Sequence, residues 1–465
     1  MFPTFSQTRA HLRAVIKDKT RQGHVTKGLL ERLEAIPDSY DALHGFGVRL
    51  ADLPIRDDWP YVEPNDLEGI LAECDPARPL GAIRPLDPVD AARRVEAAFL
   101  GSVCGCVLGK PIEIDPTLAE IRGAFEPSGE WPLRDYVTER AAHNFGRGPH
   151  PDWPESVREN IRFVAPDDDI NYTILGMLLL ERHGASFDRK DVLEVWMGHL
   201  PPGFTWGPER TTLAKATLDS LPFGETKPDD ATLETWVTTF NPHDEFCGAM
   251  IRADAYGYAC AGNPALAAEL AWRDARLTHR RTGLYGTMFA AAAIATAFVA
   301  RTPLEIFETA LQFVPKRSRF YQIVADSLNE VSTSGDWLEG YGRIHGKYRQ
   351  YSHCHVYQET GTLINTLRFA TSVGDGICKQ VMQGNDTDSF GATAGSILGA
   401  FFGPGHLEAR WFEPFGDEIR TKLAGFPERS LSALAARMAR LPGILAQTAR
   451  AEVVGPEVVM SPGVG

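Results

Sequence analysis

Two acidic motifs contain the residues of this sequence that are best suited, by type and spacing, to chemistry. Asp167, Asp168 and Asp169 are consecutive, and Asp386 and Asp388 are separated by one residue. A helix N-terminus favours a nearby carboxylate by only about 0.3–1 kcal/mol, which accounts for one aspartate per helix but not for three. Like charges this close must bind a cation or take up protons. The motifs therefore predict a site for hard divalent ions such as Mg²⁺ or Mn²⁺, which prefer oxygen ligands.

Two acidic loci adjoin segments in which glycine recurs at every fourth residue. Glu113 follows the first segment, and Asp386 precedes the second. The glycines are Gly101, Gly105, Gly109, Gly391, Gly395 and Gly399. If helical, each segment has a ridge without side chains, and close approach of another backbone is the usual compensation for the ~1 kcal/mol that a helical glycine costs. We therefore expect tight helix packing to bring the acidic loci together. Taken singly, the motifs also fit a solvated helix start and an Asp-rich turn.

The elements that must position these residues are predicted to be helices. Asn263 and Thr302 each precede a proline, which is the arrangement of a helix cap followed by proline at the first helical position. Alternating strand patterns are scarce, so residues 89–450 are predicted to form a single large all-α domain. Residues 1–88, partly helical and Pro-rich, are expected to be an N-terminal extension, and residues 451–465 a C-terminal tail.

Composition and charge exclude several classes of partner. The formal net charge is −14 and no dense Lys/Arg run occurs, which argues against binding to nucleic acid or to an anionic membrane surface. The longest apolar stretch, residues 288–300, is shorter than the ~20 residues of a membrane span. The glycine-rich segments are likewise expected to be too short in apolar residues to cross a membrane. The N-terminus lacks the apolar region of a signal peptide. We expect a cytoplasmic protein.

The cysteines point to the same compartment. Seven cysteines form no CxxC pair and no paired framework, which indicates a reducing environment. The triplet His353, Cys354 and His355 suggests a zinc site as an alternative. Adjacent residues rarely converge on one ion, so this alternative ranks below the oxygen-ligand site.

Three motifs resemble those of a known family, the ADP-ribosylglycohydrolases. The segment GNDTDSFGATAGSILGA at 384–400 is similar to the most specific family motif, and GCVLGKPIE at 105–113 and DDDINYT at 167–173 are similar to two others. The resemblance covers roughly residues 92–415. It implies an all-α fold with a central cleft that holds a binuclear metal site.

The resemblance also implies roles for individual residues. Glu113, Asp168 and Asp386 are expected to be catalytic. The expected ligands of two Mg²⁺ or Mn²⁺ ions are Asp167, Asp168, Asp169, Asp386, Asp388 and Ser389. Cys106 replaces the usual aspartate of the family and Ile170 replaces a threonine, and both substitutions put the substrate in question.

Two weaker matches concern substrate binding. Gly248, Ala249 and Arg252 lie in a segment that resembles the one near the ligand's phosphates in the family, and His279 lies where the family has a Thr-His pair lining the cleft. The alternatives are helix packing for the first segment and a structural role for the histidine.

The resemblance implies a hydrolase that cleaves the glycosidic bond at the ribose anomeric carbon of an ADP-ribosylated protein or small molecule. Two metal ions would orient the ribose diol and lower the pKa of a water, which a nearby carboxylate deprotonates. One alternative keeps the fold and changes the substrate to another N- or O-ribosyl metabolite. Another is a non-catalytic ADP-ribose-binding protein whose extension covers the cleft.

Overall fold

The computed structural model describes residues 3–145, 151, 153–219 and 228–454. In these ranges the chain folds into α-helices joined by loops and short 3₁₀ turns. No β-strand longer than an isolated bridge occurs in the described part of the chain. The all-α prediction is confirmed.

Four helices lie within the predicted N-terminal extension. They are Phe5–Arg21 (α1), Leu29–Glu34 (α2), Tyr40–Arg49 (α3) and Leu67–Glu73 (α4). Apolar side chains of α1 to α3 form a small core of their own, against which Phe240 of the body packs. Thr4 and Gln7 form a capping box that fixes the start of α1. The predicted domain boundaries at residues 88 and 450 stay predictions.

The body is a larger set of helices around one extensive hydrophobic core. Its α-helices are Pro88–Gly109 (α5), Leu118–Phe125 (α6), Glu139–His143 (α7), Asp168–His183 (α8), Arg189–His199 (α9), Gly207–Asp219 (α10), Asp230–Thr238 (α11), Asp254–Ala259 (α12), Pro264–Ala275 (α13), Thr282–Ala297 (α14), Pro303–Leu311 (α15), Arg319–Thr333 (α16), Trp337–Tyr348 (α17), Tyr357–Phe369 (α18), Val373–Met382 (α19), Thr387–Phe402 (α20), Leu431–Met438 (α21) and Leu441–Val454 (α22). The 3₁₀ turns are Lys110–Ile112, Glu126–Ser128, Trp153–Glu155, Pro202–Phe204, Cys247–Arg252, Ala409–Trp411 and Glu413–Phe415. Residues 455–465 of the predicted tail lie outside the described residues.

The two predicted helix starts are confirmed by their capping bonds. The Asn263 side chain accepts a hydrogen bond from the backbone N–H of Leu266, and Pro264 opens α13. Thr302 caps α15 in the same way, with proline again at the first helical position. Proline is favoured there because its missing N–H would have no partner within the helix.

Buried polar contacts hold the extension against the body. Arg319, at the start of α16, forms an ion pair with Glu63 of the extension at 2.9 Å and another with Glu245 at 2.6 Å. Gln22, directly after α1, donates a 2.6 Å hydrogen bond to Asp244. The side chains of Arg319 and Glu63 are only 9% and 4% exposed, so the extension is part of the packed structure.

The glycine ridges of α5 and α20 pack against each other. A Cβ added to Gly105 would overlap the carbonyl oxygen of Gly391, and one added to Gly101 would overlap that of Gly395. The pairing runs from Gly109 beside the start of α20 to the opposite end of both helices, so the helices are antiparallel. The expected close approach of another backbone is confirmed, and its consequence is that the end of α5 meets the start of α20.

The length argument against a membrane span is wrong for α5. The helical stretch Pro88–Ile112, which includes the following 3₁₀ turn, is long and apolar enough to cross a membrane by length and composition alone. However, 78% of its apolar window is buried inside the protein, and a core helix passes the same test. Burial against α20 therefore accounts for its composition.

Candidate active site

The packing of α5 against α20 places two of the acidic loci side by side. The carbonyl oxygen of Gly109 accepts a 2.8 Å hydrogen bond from Thr387 Oγ1 in the first turn of α20. Lys110 and Glu113, which follow α5, are thereby held next to Asp388, whose Oδ2 accepts a hydrogen bond from Lys110 Nζ at 3.0 Å.

The start of α8 brings the third locus to the same point. Asp167 has an extended backbone, and its carboxylate accepts a 3.0 Å hydrogen bond from the backbone N–H of Asp169. Asp168 and Asp169 occupy the first turn, where the positive end of the helix dipole favours carboxylates. Asp167 Oδ2 lies 3.0 Å from Lys110 Nζ. The structure therefore brings together carboxylates from three distant parts of the chain.

Lys110 is the residue at which these loci meet. Its Nζ lies 2.9 Å from Glu113 Oε2 and 3.0 Å from one carboxylate oxygen each of Asp167 and Asp388, and its side chain is only 12% exposed. Burial alone would lower the pKa of the ammonium group, but the surrounding carboxylates raise it well above its usual value. Lys110 therefore carries a positive charge inside the acidic cluster.

Asp169 is buried without the contacts that a carboxylate requires. It is 3% exposed, and neither of its carboxylate oxygens has a hydrogen-bond partner among the described residues. Asp388 Oδ1 is likewise without such a partner. Burial, followed by the charges of Asp167 and Asp388, raises the pKa of Asp169 well above its ordinary value. These oxygens could hold a cation, which would offset the cost of burying an unpaired charge.

Asp386 directly precedes α20 but does not cap it. Gly384 and Asn385, at φ of +82° and +63°, turn the chain before α20, and the Asp386 side chain makes no capping bond. Instead, Asp386 Oδ2 accepts hydrogen bonds from the thiols of Cys247 at 3.3 Å and Cys354 at 3.6 Å.

Glu359 holds this side of the cluster in place. It is 1% exposed and accepts hydrogen bonds from the backbone N–H groups of Cys354 at 3.1 Å, Val356 at 2.9 Å and Asp386 at 3.2 Å. Burial, and then the neighbouring Asp386, raises the pKa of Glu359 to about 8. The buried Glu359 carboxylate therefore connects the loop at residues 354–356 to the start of α20.

Several sets of ligand atoms are close enough to hold a metal ion. In each set, the atoms lie within 4.8 Å of one another. The sets are Glu113, Asp386 and Asp388; Cys106, Asp167 and Asp169; His353, Glu359 and Asp386; and Cys247, Cys354 and Asp386. The first set consists of oxygen donors alone and fits Mg²⁺ or Mn²⁺. In the second set, burial raises the pKa of the Cys106 thiol well above its usual value, and its soft sulfur suits a hard divalent ion less well than oxygen does.

The zinc alternative for the histidine–cysteine triplet is partly resolved by position. His353 and Cys354 both approach Asp386, but in different sets of ligand atoms. His355 instead contacts Arg21 of the extension at 3.1 Å. The three adjacent residues therefore do not converge on one point.

The remaining predicted ligand and catalytic residues lie at the same helix ends. Glu113 is 18% exposed, and Asp168 is half-buried in the first turn of α8. Ser389 follows Asp388 in the first turn of α20 and is 7% exposed. Ile170 belongs to the hydrophobic core, so its side chain packs inside the body.

The predicted substrate-binding segment forms the 3₁₀ turn Cys247–Arg252. Arg252 is 1% exposed and donates hydrogen bonds to Glu209 at 2.6 Å, to Thr278 at 2.8 Å and to the carbonyl oxygen of Gly248 at 2.8 Å, and it is also paired with Asp274. These contacts favour a packing role for Arg252, and its predicted contact with substrate stays a prediction.

The other three predicted substrate-binding residues lie around the same buried arginine. Ala249 is fully buried, and a Cβ on Gly248 would lie 2.7 Å from Glu209 Oε1. His279 is 1% exposed, with Nδ1 2.8 Å from Thr278 Oγ1 and Nε2 without a hydrogen-bond partner among the described residues. Burial, and then the Arg252 charge, lowers the pKa of His279 well below its usual value, so the imidazole is neutral.

A cavity of about 390 Å³ has walls from both the extension and the body. The extension contributes Arg21, Trp59 and Tyr61. The body contributes Phe246 and His355, which are the chain neighbours of the two cysteines that contact Asp386.

Several of these residues were missed by sequence reasoning. Lys110 could have been identified from the sequence, since it is a charged residue directly after a long apolar segment. Glu359, Cys247 and the aromatic residues of the cavity had none, because only the fold places them beside motifs more than 20 residues away.

Comparison with known proteins identifies one matching family. The family model described as ADP-ribosylglycohydrolase matches residues 87–442. Among solved structures, an "ADP-ribosylglycohydrolase-related protein complex" is similar, with 19% sequence identity and a TM-score of 0.48 over 76% of this chain and 99% of that one. No curated protein matches the chain.

Proposed function

Because the chain belongs to the ADP-ribosylglycohydrolase family, we propose that it is a divalent-metal-dependent hydrolase of ADP-ribosyl compounds. The bond cleaved is the glycosidic bond at the ribose anomeric carbon. The observation that carries this proposal is the convergence of buried carboxylates from three chain segments, among which Asp169 and Asp388 keep oxygens without hydrogen-bond partners. The family match supports the reaction class.

The residues present fit a hard divalent cation. Glu113, Asp386 and Asp388 would hold it, with Asp169 supplying further oxygens. When bound, such an ion supplies Lewis acidity and positive charge next to the ribose. Ser389 and Asp167 remain proposed as additional oxygen donors to the site.

The protein groups supply proton transfer and positioning. Glu113 is the proposed base: the Oε atom that does not hold the cation takes a proton from the water that attacks the anomeric carbon, and this proton passes to the leaving group as the glycosidic bond breaks. Burial and the charge of Asp388 raise the pKa of Glu113 above that of an ordinary glutamate, whereas Lys110 opposes this rise. This pKa reaches about 10 without a cation, and a bound divalent cation would lower it towards the operating pH, where a base works best. Asp168 and Asp386 are proposed to orient the water and the ribose hydroxyls.

The cavity beside the cluster is proposed to bind the nucleotide part of the substrate. Trp59 and Tyr61 offer aromatic side chains for contact with a planar base, and Arg21 offers a cation for an anionic diphosphate. Since these three residues belong to residues 1–88, the extension is proposed to be part of the substrate site.

Replacement of Trp59 by alanine is expected to raise KM about tenfold and leave kcat within about twofold, since base–aromatic stacking contributes ~1–3 kcal/mol. Steady-state kinetics with the best substrate measures this split. The control is Trp206→Ala, because Trp206 is 51% exposed and does not line the cavity. An unchanged KM in a folded Trp59→Ala protein would place the nucleotide elsewhere.

The proposed function is tested by incubating the protein with ADP-ribosylated peptides, ADP-ribosyl small molecules and simple nucleosides, each with Mg²⁺, Mn²⁺ or EDTA. Mass spectrometry is expected to detect released ADP-ribose only in the samples that contain metal. Turnover in EDTA, or no turnover of any ADP-ribosyl compound, contradicts the proposal. Cleavage of a simpler ribosyl compound alone favours the alternative of another ribosyl metabolite, which the Cys106 substitution motivates.

A further inference from the structure

We propose that the ammonium group of Lys110 takes the place of one of the two divalent cations implied by the family resemblance. The inference rests on the proposed function for the presence of a metal site. It rests on the contacts of Lys110 for the number of metal ions in that site. It predicts that this chain binds one metal ion fewer than a binuclear enzyme.

The contacts of Lys110 are those of a bridging cation. Its Nζ lies 2.9–3.0 Å from oxygens of Glu113, Asp167 and Asp388, which come from three separate parts of the chain. An ammonium group has three N–H donors and no acceptor, so it can direct one donor to each carboxylate. These three residues are also among the ligand atoms close enough to hold ions.

A second divalent ion at these oxygens would have to coexist with the ammonium group. An ion bound to the same carboxylates would lie within a few ångströms of Nζ, in a buried site where like charges repel strongly. The Lys110 side chain is only 12% exposed, so water screens its charge weakly. The lysine and a second ion therefore exclude each other.

The donors that remain suit one ion. Both oxygens of Asp169 and Oδ1 of Asp388 have no hydrogen-bond partner among the described residues, and Asp386 offers a further carboxylate close to Asp388 that Lys110 does not bridge. Hard divalent ions favour such oxygen donors.

The charge at the site changes in the direction that such a replacement needs. Cys106 removes one negative charge where the resembled motif has an aspartate, and Lys110 itself carries one positive charge. Cys106 is buried and the Lys110 side chain is only 12% exposed at the same cluster. Both residues therefore reduce the positive charge that bound metal ions must supply.

The test counts Mn²⁺ bound per chain in the full-length protein, by elemental analysis after equilibrium dialysis, and records its electron paramagnetic resonance spectrum. The variant is Lys110→Met, which removes the charge and keeps an apolar stem. The matched control is Lys215→Met. Lys215 also places its ammonium group inside the protein, with Nζ 2.5 Å from the carbonyl oxygens of Trp236 and Thr239, but it makes none of the acidic-cluster contacts.

Lys110→Met is expected to bind one Mn²⁺ more than the wild type, and Lys215→Met the same number as the wild type. The wild type is expected to give the spectrum of an isolated Mn²⁺, and Lys110→Met that of a coupled pair. An equal count in wild type and Lys110→Met overturns the inference. So does a coupled pair in the wild type, a result that holds even if Lys110→Met does not fold.

The proposed function fails by different results. Wild-type protein that binds no Mn²⁺ contradicts metal dependence, and the inference about Lys110 then still requires one ion in Lys110→Met. Wild-type protein that binds one ion but cleaves no ADP-ribosyl compound contradicts the hydrolase and leaves the count that supports Lys110 unchanged.

Discussion

Replacing Asp169 with asparagine is expected to stabilise the metal-free protein by about 1–3 kcal/mol and to lower kcat/KM about 10³-fold. Both carboxylate oxygens of Asp169 are buried without hydrogen-bond partners among the described residues. Folding raises the pKa of this carboxyl, so it lowers the stability of the protein only where the unfolded chain would ionise it. This loss of stability is absent at low pH and grows as the pH rises above the ordinary aspartate pKa. Asparagine has the same shape and no charge, so the variant avoids this cost but loses a cation ligand.

Thermal unfolding with EDTA and with Mn²⁺, together with turnover of the substrate found in the panel, measures both effects. The Mn²⁺-induced rise in Tm is expected to shrink in Asp169→Asn. Asp336→Asn is the control, because Asp336 caps α17 and asparagine caps a helix equally well. A metal-free Asp169→Asn protein less stable than the wild type would show that Asp169 is held by contacts within the protein, which contradicts the metal site.

Replacing Gly105 with alanine is expected to lower the free energy of unfolding by about 2–3 kcal/mol. The added Cβ would overlap the carbonyl oxygen and carbon of Gly391, which are backbone atoms that no rotamer change can move. The gain of ~1 kcal/mol in helix propensity does not offset this overlap. Because the same helix pair carries Lys110 and Asp388, separation of the helices is also expected to reduce metal affinity.

Denaturant unfolding of the metal-free protein measures the change in stability, and Mn²⁺ titration measures the affinity. Gly342→Ala is the matched control, since Gly342 lies in the middle of α17 with no atom within 4 Å of the added Cβ. It is expected to stabilise the protein by up to ~1 kcal/mol. If Gly105→Ala behaved like this control, the close approach of α5 and α20 would be disproved.

Local rules were sufficient for much of the fold. Asn263 and Thr302 each cap a helix that begins with proline, as predicted, because these interactions involve only residues within one helical turn. The glycine ridges at residues 101–109 and 391–399 were also readable, since a repeat of four residues lies on one helix face. No local pattern specifies which backbone each ridge contacts, so the packing of one ridge against the other could not be predicted.

The site shows the same division. The acidic motifs identified where carboxylates are concentrated, and the resemblance to the family supplied their expected roles. The roles predicted for Arg252 and His279 depended on which way these side chains face, and the structure buries both, each within hydrogen-bond distance of Thr278. Charge and spacing in a sequence do not reveal burial of this kind.

Neighbours in the chain specify the all-α class, the starts of several helices and the three acidic loci, so these features could be predicted from the sequence. Long-range packing brings the end of α5 and the starts of α8 and α20 together around Lys110, and places Trp59 of the extension on the wall of the cavity. These contacts join residues separated by more than 50 positions, and their geometry depends on the close approach of two glycine-lined backbones. The position of a single ammonium group relative to the carboxylates, which bears on how many metal ions the site accepts, follows from that packing.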